Sequence, residues 1–321
     1  MLKLVQRFWA AGRAYWETVS NPQRLLFISG SLVCLSMIVH SLILVVSGSS
    51  FHGPVSLRKA ITFAETLWLT SWAVAWLLPF FRLGRIASWA LAVVVSLFAT
   101  AETFLMSMQV WRGVPSHYNF TTVFDMTVYL STGVGALGFT IVVGILLALS
   151  FRLRGLPLSL RTAIVGGLVL TFYGALIGIL MSANSGPVWQ GLESLVARQM
   201  AGGFGQYNGQ PEGSVGGNLV LIHALGVHGL QVLPLIPWLL GYTALNERQR
   251  LNLSRLNIVG WFGLTIAASV QAFRMLPITA LDPLTGLVMI ASSALILAVT
   301  LATGWITYRS LRGRSAQTAY A

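Results

Sequence analysis

Eight separate runs of about twenty apolar residues recur along this chain, and each is long enough to cross the hydrocarbon core of a bilayer as a helix. No other feature constrains the fold as tightly. Backbone N–H and C=O groups in lipid have no water to bond, so a spanning segment must satisfy them within itself, as a helix does. The runs fall at 25–47, 59–80, 86–110, 127–150, 162–182, 218–244, 257–274 and 284–307. Composition agrees: 55% of residues are hydrophobic and only 9% charged, against roughly 25% charged in soluble domains. The expected fold is an all-α integral membrane protein, with about eight transmembrane helices in one bundle over residues 25–310.

A net charge of +12 would point to nucleic acid in a soluble protein. Here the basic residues follow the connections instead. Fifteen of the twenty Lys and Arg fall on one side of an eight-span topology, leaving Arg58, Lys59, Arg112, Arg198 and Arg274 on the other. Lys and Arg collect in cytoplasmic loops, so both termini are expected in the cytoplasm of a bacterial inner membrane. The implied partner is the lipid bilayer, not nucleic acid. Residues 1–24 place Leu2, Val5, Phe8, Trp9 and Trp16 on one helical side and Lys3 and Arg7 opposite, the pattern of a helix lying on the membrane surface. No cleavable signal peptide is apparent there. Residues 311–321 form a short cytoplasmic tail. A single cysteine, Cys34, lies within an apolar run, which precludes an intramolecular disulfide.

The outer connections are the longer ones. The longest, 183–217, lies between spans five and six. Its VWQGLESLVARQM stretch shares Val188, Leu192, Leu195 and Val196 on one face, which predicts a short surface helix. The glycine-rich 201–217 segment that follows reads as either a lid over an outward-facing pocket or an inert tether. No internal repeat is evident, which speaks against the commonest transporter architectures.

Ionisable residues within spans carry the functional signal, because each is costly in lipid unless it faces partners or a cavity. At 1.5 Å per residue, His40, Glu65, Glu102 and His223 all lie roughly 8–12 Å below the outer ends of four different spans. His228 lies deeper, near the midplane. Span six is the most unusual run: NLVLIHALGVHGLQVLPLIP carries both histidines, Gln231, Pro234 and Pro237. His223 and His228 are five residues apart and cannot face one point on a regular helix. Gly226 and Gly229 permit close approach by another helix or by a flat cofactor.

Two imidazoles and two carboxylates from facing helices suit a transition metal, with His40, His223, Glu65 and Glu102 as ligands. His40 and His223 also suit axial ligation of a non-covalent haem b. Glu65, Glu102 and His228 would then serve as catalytic or proton-transfer groups. The bland alternative is a buried hydrogen-bonded network. At the mouth above this layer, Arg58, Lys59, Arg112 and Arg274 leave a cationic outer rim opposite Asp125 and Asp282, and His52, Arg58, Arg112, His117 and Arg274 are the candidates to meet a small anionic solute.

At HGPVSLRKAITF and WRGVPSHYN the sequence resembles a loosely defined group of bacterial multi-pass membrane proteins. In that group a G-P-x-S-x-R-K entry to the second span and an R-G-x-x-S-H-x-N segment after the third recur. The matching positions are Gly53, Pro54, Ser56, Arg58, Lys59, Arg112, Gly113, Ser116, His117 and Asn119. The resemblance implies a multi-span topology and no particular activity. The chain lacks a mid-span lysine for a retinal Schiff base, a P-loop, HExxH and desaturase-type histidine boxes.

Three function classes follow. The first is a membrane redox protein, an oxidoreductase or another metal- or haem-binding protein with an outward His/Glu pocket. The second is a transporter or channel for a small anionic or proton-coupled solute. The third is a non-catalytic subunit or assembly factor that binds other membrane subunits.

Overall fold

A computed structural model describes residues 12–51, 55–183, 219–274, 276 and 281–317. The expected surface helix at 188–196, the 201–217 segment, His52 and residues 1–11 lie outside the described residues. Everything regular among the described residues is helical. Eight helical stretches are long and apolar enough to cross a membrane.

The first three are α1 (Asn21–Ser47), α2 (Leu57–Leu77) and α3 (Arg85–Trp111). A single 3-10 turn, Leu78–Phe81, extends α2. Next come α4 (Val123–Ser150) and α5 (Leu158–Ala183). Span six is broken into α6 (Leu219–Val227), α7 (Gly229–Val232) and α8 (Leu235–Leu240). The last two are α9 (Glu247–Phe273) and α10 (Pro283–Gln317). Residues 12–18 are also helical and are separated from α1 at Val19 and Ser20.

Polar caps set the helix ends, so several helices outrun their apolar stretches. α1 starts four residues before its apolar run, where Gln23 Oε1 accepts the Ser20 backbone N–H at 2.9 Å. α9 starts ten residues before its run. There Asn246 and Gln249 form a reciprocal capping box, each side chain accepting from the other's N–H at 3.0 Å. Its first turns carry Glu247, Arg248 and Arg250, which an apolar-run reading leaves out.

The chain divides into two compact units. The first holds the stretch up to Phe51 and Leu57–Met108; the second holds His52–Ser56 and Gln109 onward. Lipid is as apolar as leucine, so close packing and interhelical hydrogen bonds hold each unit together more than hydrophobic transfer does. In the first unit Val33, Ala64, Leu67 and Ala99 form the centre, flanked by Met37, Trp68 and Phe98. Buried polar bonds tie its helices: Ser29 Oγ donates to Ser96 Oγ at 2.9 Å, and Gln23 Nε2 to the Ala75 carbonyl at 3.0 Å. The Trp72 indole N–H donates to the Phe27 carbonyl at 3.2 Å.

In the second unit the closest approach is between α5 and the broken sixth span. A Cβ built on Gly226 would stand 2.4 Å from the Gly174 Cα. One built on Gly174 would stand 2.5 Å from the Val227 nitrogen. Only two hydrogens fit there. Around this crossing Ile177, Leu219, Ile222, Ala268 and Ala272 make one buried cluster, and Ala163, Leu170 and Leu233 another. Tyr173 Oη and Ser269 Oγ, 2.8 Å apart, link α5 to α9.

Candidate functional site

The structure distributes the expected site residues between the two units. His40 (α1), Glu65 (α2) and Glu102 (α3) belong to the first; His223 (α6) and His228 belong to the second. The sequence reading joined His223 to the first three as one layer. Among the described residues, no three His, Cys, Asp or Glu side chains gather in a way that would hold a metal ion.

Within the first unit, His40 is 4% exposed and Glu102 5% exposed, while Glu65 is half-buried. The His40 Nδ1 lies 2.7 Å from the Ser36 carbonyl, one helical turn back. A carbonyl only accepts, so Nδ1 carries a proton, and in the neutral tautomer the lone pair falls on Nε2. Sequence reasoning placed Lys59 on the outer rim at the start of span two. It is instead buried, 7% exposed, in the same unit that buries Glu102. The signal was available: Lys59 lies inside the apolar run, and a carboxylate occupies the following span. Arg58, its neighbour, rests its guanidinium 5.5 Å from the centre of the Phe51 ring.

In the second unit His223 uses Nδ1 to reach the Gly174 carbonyl at 2.8 Å, and its ring lies over Gly178 of α5. The same argument places its lone pair at Nε2. His228 occupies the gap between α6 and α7, and its Nδ1 pairs with the Gln231 side-chain oxygen. The expectation that Gly226 and Gly229 admit a helix or a flat cofactor resolves to a helix. α5 fills that face through Gly167, Leu170 and Gly174.

The segment after α3 forms a closed polar knot. Asp125, in the first turn of α4, is 2% exposed. Its Oδ1 accepts from Gln109 Nε2 at 2.9 Å and from Arg112 Nη1 at 2.6 Å, and its Oδ2 from the Thr122 hydroxyl at 2.7 Å. Arg112 also donates to Gln109 Oε1 and stacks over Phe124, 4.7 Å from the ring centre. Asn119 Oδ1 accepts from the Thr121 hydroxyl at 2.6 Å, and its amide donates to the Pro115 carbonyl at 3.0 Å. Tyr118 adopts a left-handed backbone, φ 55°, and its hydroxyl reaches the Met181 carbonyl at 3.3 Å. His117 packs against the rings of Tyr118 and Tyr129. The RGVPSHYN motif is thus first a folding device. Sequence reasoning set Asp125 opposite the cationic rim but missed Gln109, sixteen residues before it, which meets it only through the turn.

Arg274 pairs with Asp282 at 2.7 Å between the adjoining ends of α9 and α10. Arg112 and Arg274 keep 39% and 56% of their side-chain surfaces exposed, so neither charge is sealed off by its carboxylate.

Fold and site together define a multi-span helical membrane protein with ionisable groups buried among its helices. No family model matches the chain, and no curated protein or solved structure is similar to it.

Proposed function

We propose that the chain is a transporter that moves a small anionic solute together with protons, with both termini in the cytoplasm of a bacterial inner membrane. One observation carries this reading: Lys59 of α2 and Glu102 of α3 are both buried in a unit of three spanning helices that also buries His40. Removing charges from water costs several kcal/mol per ion, and intramembrane ionisable residues face that cost where protons or ions must pass. In this scheme Glu102 takes and releases the proton, Lys59 supplies the counter-charge, and His40 and Glu65 relay the proton along the same unit. Arg112 and Arg274 of the second unit, half-exposed beside their carboxylates, keep charge available to attract an anion.

The test is flux in liposomes enclosing a pH-sensitive dye, with gradients of small carboxylates and inorganic anions imposed outside. Anion-driven acidification should appear in the wild type and vanish in Glu102→Gln. Reconstituted protein that supports no such acidification with any anion would overturn the reading.

A second reading, haem or metal-dependent redox chemistry, draws support from one observation. Both His40 and His223 hold their Nδ1 proton against a backbone carbonyl, the arrangement that orients a ligating imidazole through Nε2. Absorption spectra of oxidised and dithionite-reduced protein, with elemental analysis, test it. A Soret band that shifts on reduction and is lost in His223→Ala would move the assignment to haem.

A further inference from the structure

The last turns of α10 carry a patch whose parts touch one another. The Trp305 and Tyr308 rings stack with their centres 6.3 Å apart and their planes 28° from parallel. The Arg309 guanidinium lies over Trp305, 4.7 Å from the ring centre, and that of Arg312 over Tyr308 at 4.9 Å. Spacings of three and four residues keep all four side chains on one face of the helix. All four are exposed, Trp305 by 56% and Tyr308 by 46%. An aromatic face attracts a guanidinium through its π electrons, while the N–H groups lie in the guanidinium plane as a fork that suits phosphate. The rings thus fix where the charge sits without neutralising it.

The patch continues the lipid side of its helix. At 100° per residue, Leu287, Leu297, Leu301, Trp305 and Tyr308 fall within about 80° of one another, and all are exposed. Ser292, Val299, Thr303 and Thr307 fall on the other side and are buried. The helix is long and apolar enough to cross a membrane, and Trp and Tyr mark the level where acyl chains give way to headgroups. Arg309 therefore stands at headgroup level, directly beyond a stripe of exposed leucines. No Asp or Glu follows Asp282 in the chain. Glu247, in the first turn of the helix packed beside α10, is engaged by the Ser159 N–H at 2.7 Å.

We propose that this patch binds an anionic phospholipid. Arg309, with Arg312 one turn on, meets the charged headgroup; Trp305 and Tyr308 hold the glycerol region; an acyl chain runs along Leu301 and Leu297. Basic residues next to a span attract anionic lipids in this way. The occupant must carry both chemistries, because a free anion makes no use of the leucines and a zwitterionic lipid brings no net charge to Arg309. The site lies wholly in the second unit and does not depend on the role proposed for Lys59 and Glu102.

Thermal unfolding of the purified full-length chain in neutral detergent, followed by tryptophan fluorescence, tests it. Phosphatidylglycerol and phosphatidylcholine with identical acyl chains are added in turn. A ligand that binds only the folded state raises the midpoint saturably. Phosphatidylglycerol should raise it by several degrees more than phosphatidylcholine. The Arg309→Gln, Arg312→Gln double variant should lose more than half of that excess, each variant being compared with itself without lipid. Arg82→Gln, which removes an exposed charge at the α2–α3 connection, should keep it. Equal shifts from the two lipids would overturn the proposal, as would an excess unchanged in the double variant or lost equally in Arg82→Gln. Sodium phosphate should give no shift over sodium chloride at equal ionic strength. A phosphate shift as large as the lipid's would assign the patch to a free anion and overturn the proposal as well.

Discussion

The two units handle polarity in opposite ways. In the first, ionisable side chains are buried: Lys59, Glu102 and His40 lie among helices otherwise centred on Val33, Ala64, Leu67 and Ala99. In the second, full charges stay at the helix ends, where Arg112 meets Asp125 and Arg274 meets Asp282. Its interior is held by backbone contact at Gly174 and Gly226 and by a helix break whose donors are redirected. A buried charge answers to protonation and to the presence of its partner. A glycine crossing answers only to volume. The first unit is therefore where chemistry is expected to respond to conditions, and the second where a single methyl group is expected to matter most.

The largest effect should come from volume. Gly174→Val would drive its Cβ to 2.5 Å from the Val227 nitrogen and 2.7 Å from the Gly226 carbonyl carbon, both backbone atoms that cannot swing aside. Overpacking costs up to about 3 kcal/mol, occasionally more, so most of the folded protein should be lost. Gly133→Ala in α4 is the control: nothing lies within 4 Å of the added Cβ, and a helical Gly→Ala change is neutral to stabilising by about 1 kcal/mol. Monodispersity on size exclusion and the unfolding midpoint report both. Equal behaviour of the two variants would remove the crossing from the account.

Next in size is the buried pair. Removing one partner strands the other charge, which costs about 3–5 kcal/mol in buried pairs. Lys59→Met and Glu102→Leu should each lower stability by an amount at the low end of that range, because charge interaction rather than an ideal bidentate bond links them. The double variant should recover part of the loss, with a coupling of about 1–3 kcal/mol. The same cycle applied to Arg274 and Asp282 should give a much smaller coupling, as solvent-screened pairs do. Matching coupling energies at the two pairs would erase the contrast between the units.

How much of this was legible beforehand follows the same contrast. Apolar length marks eight spans because lipid enforces it, and depth alone picks out His40 and Glu102 as buried. Features made by polar hydrogen bonds were harder to read. The Asn246 and Gln249 side chains extend α9 through charged residues, although an N-x-x-Q signature stood in the sequence. Pro234 and Pro237 announced a kink. The break at His228 also needs Thr171, fifty-nine residues before the Leu230 N–H it captures. Gly226 invited a close neighbour without naming it; Gly167, Gly174 and Gly178, seven and then four residues apart on α5, supply it. Lys59 was misplaced because a lysine at a span's edge ordinarily turns to water, whereas here it stays buried in the unit that buries Glu102 of the next helix.

The smallest effect belongs to the rim of the second unit, and pH exposes it. The Asp282 carboxylate is held below the usual carboxylate range, first by the Thr285 hydroxyl at 2.8 Å, then by the Thr285 N–H at 3.2 Å. The Leu284 N–H at 3.0 Å and the Arg274 guanidinium add to this. A folded-state pKa below the unfolded one means that the unfolded chain binds the proton more readily. The stabilisation is then fully present above the unfolded value of about 3.9 and is lost as pH falls through the lower folded value. The wild-type midpoint should stay level on this account from neutral pH down to about 5 and sag below it. Asp282→Asn should lie slightly lower at neutral pH and converge with wild type as the medium becomes acid. Parallel curves at every pH would mean that the hydrogen-bonded geometry of this cap matters and its charge does not. The carboxylate would then count as part of the helix end rather than as one of the charges that set the two units apart.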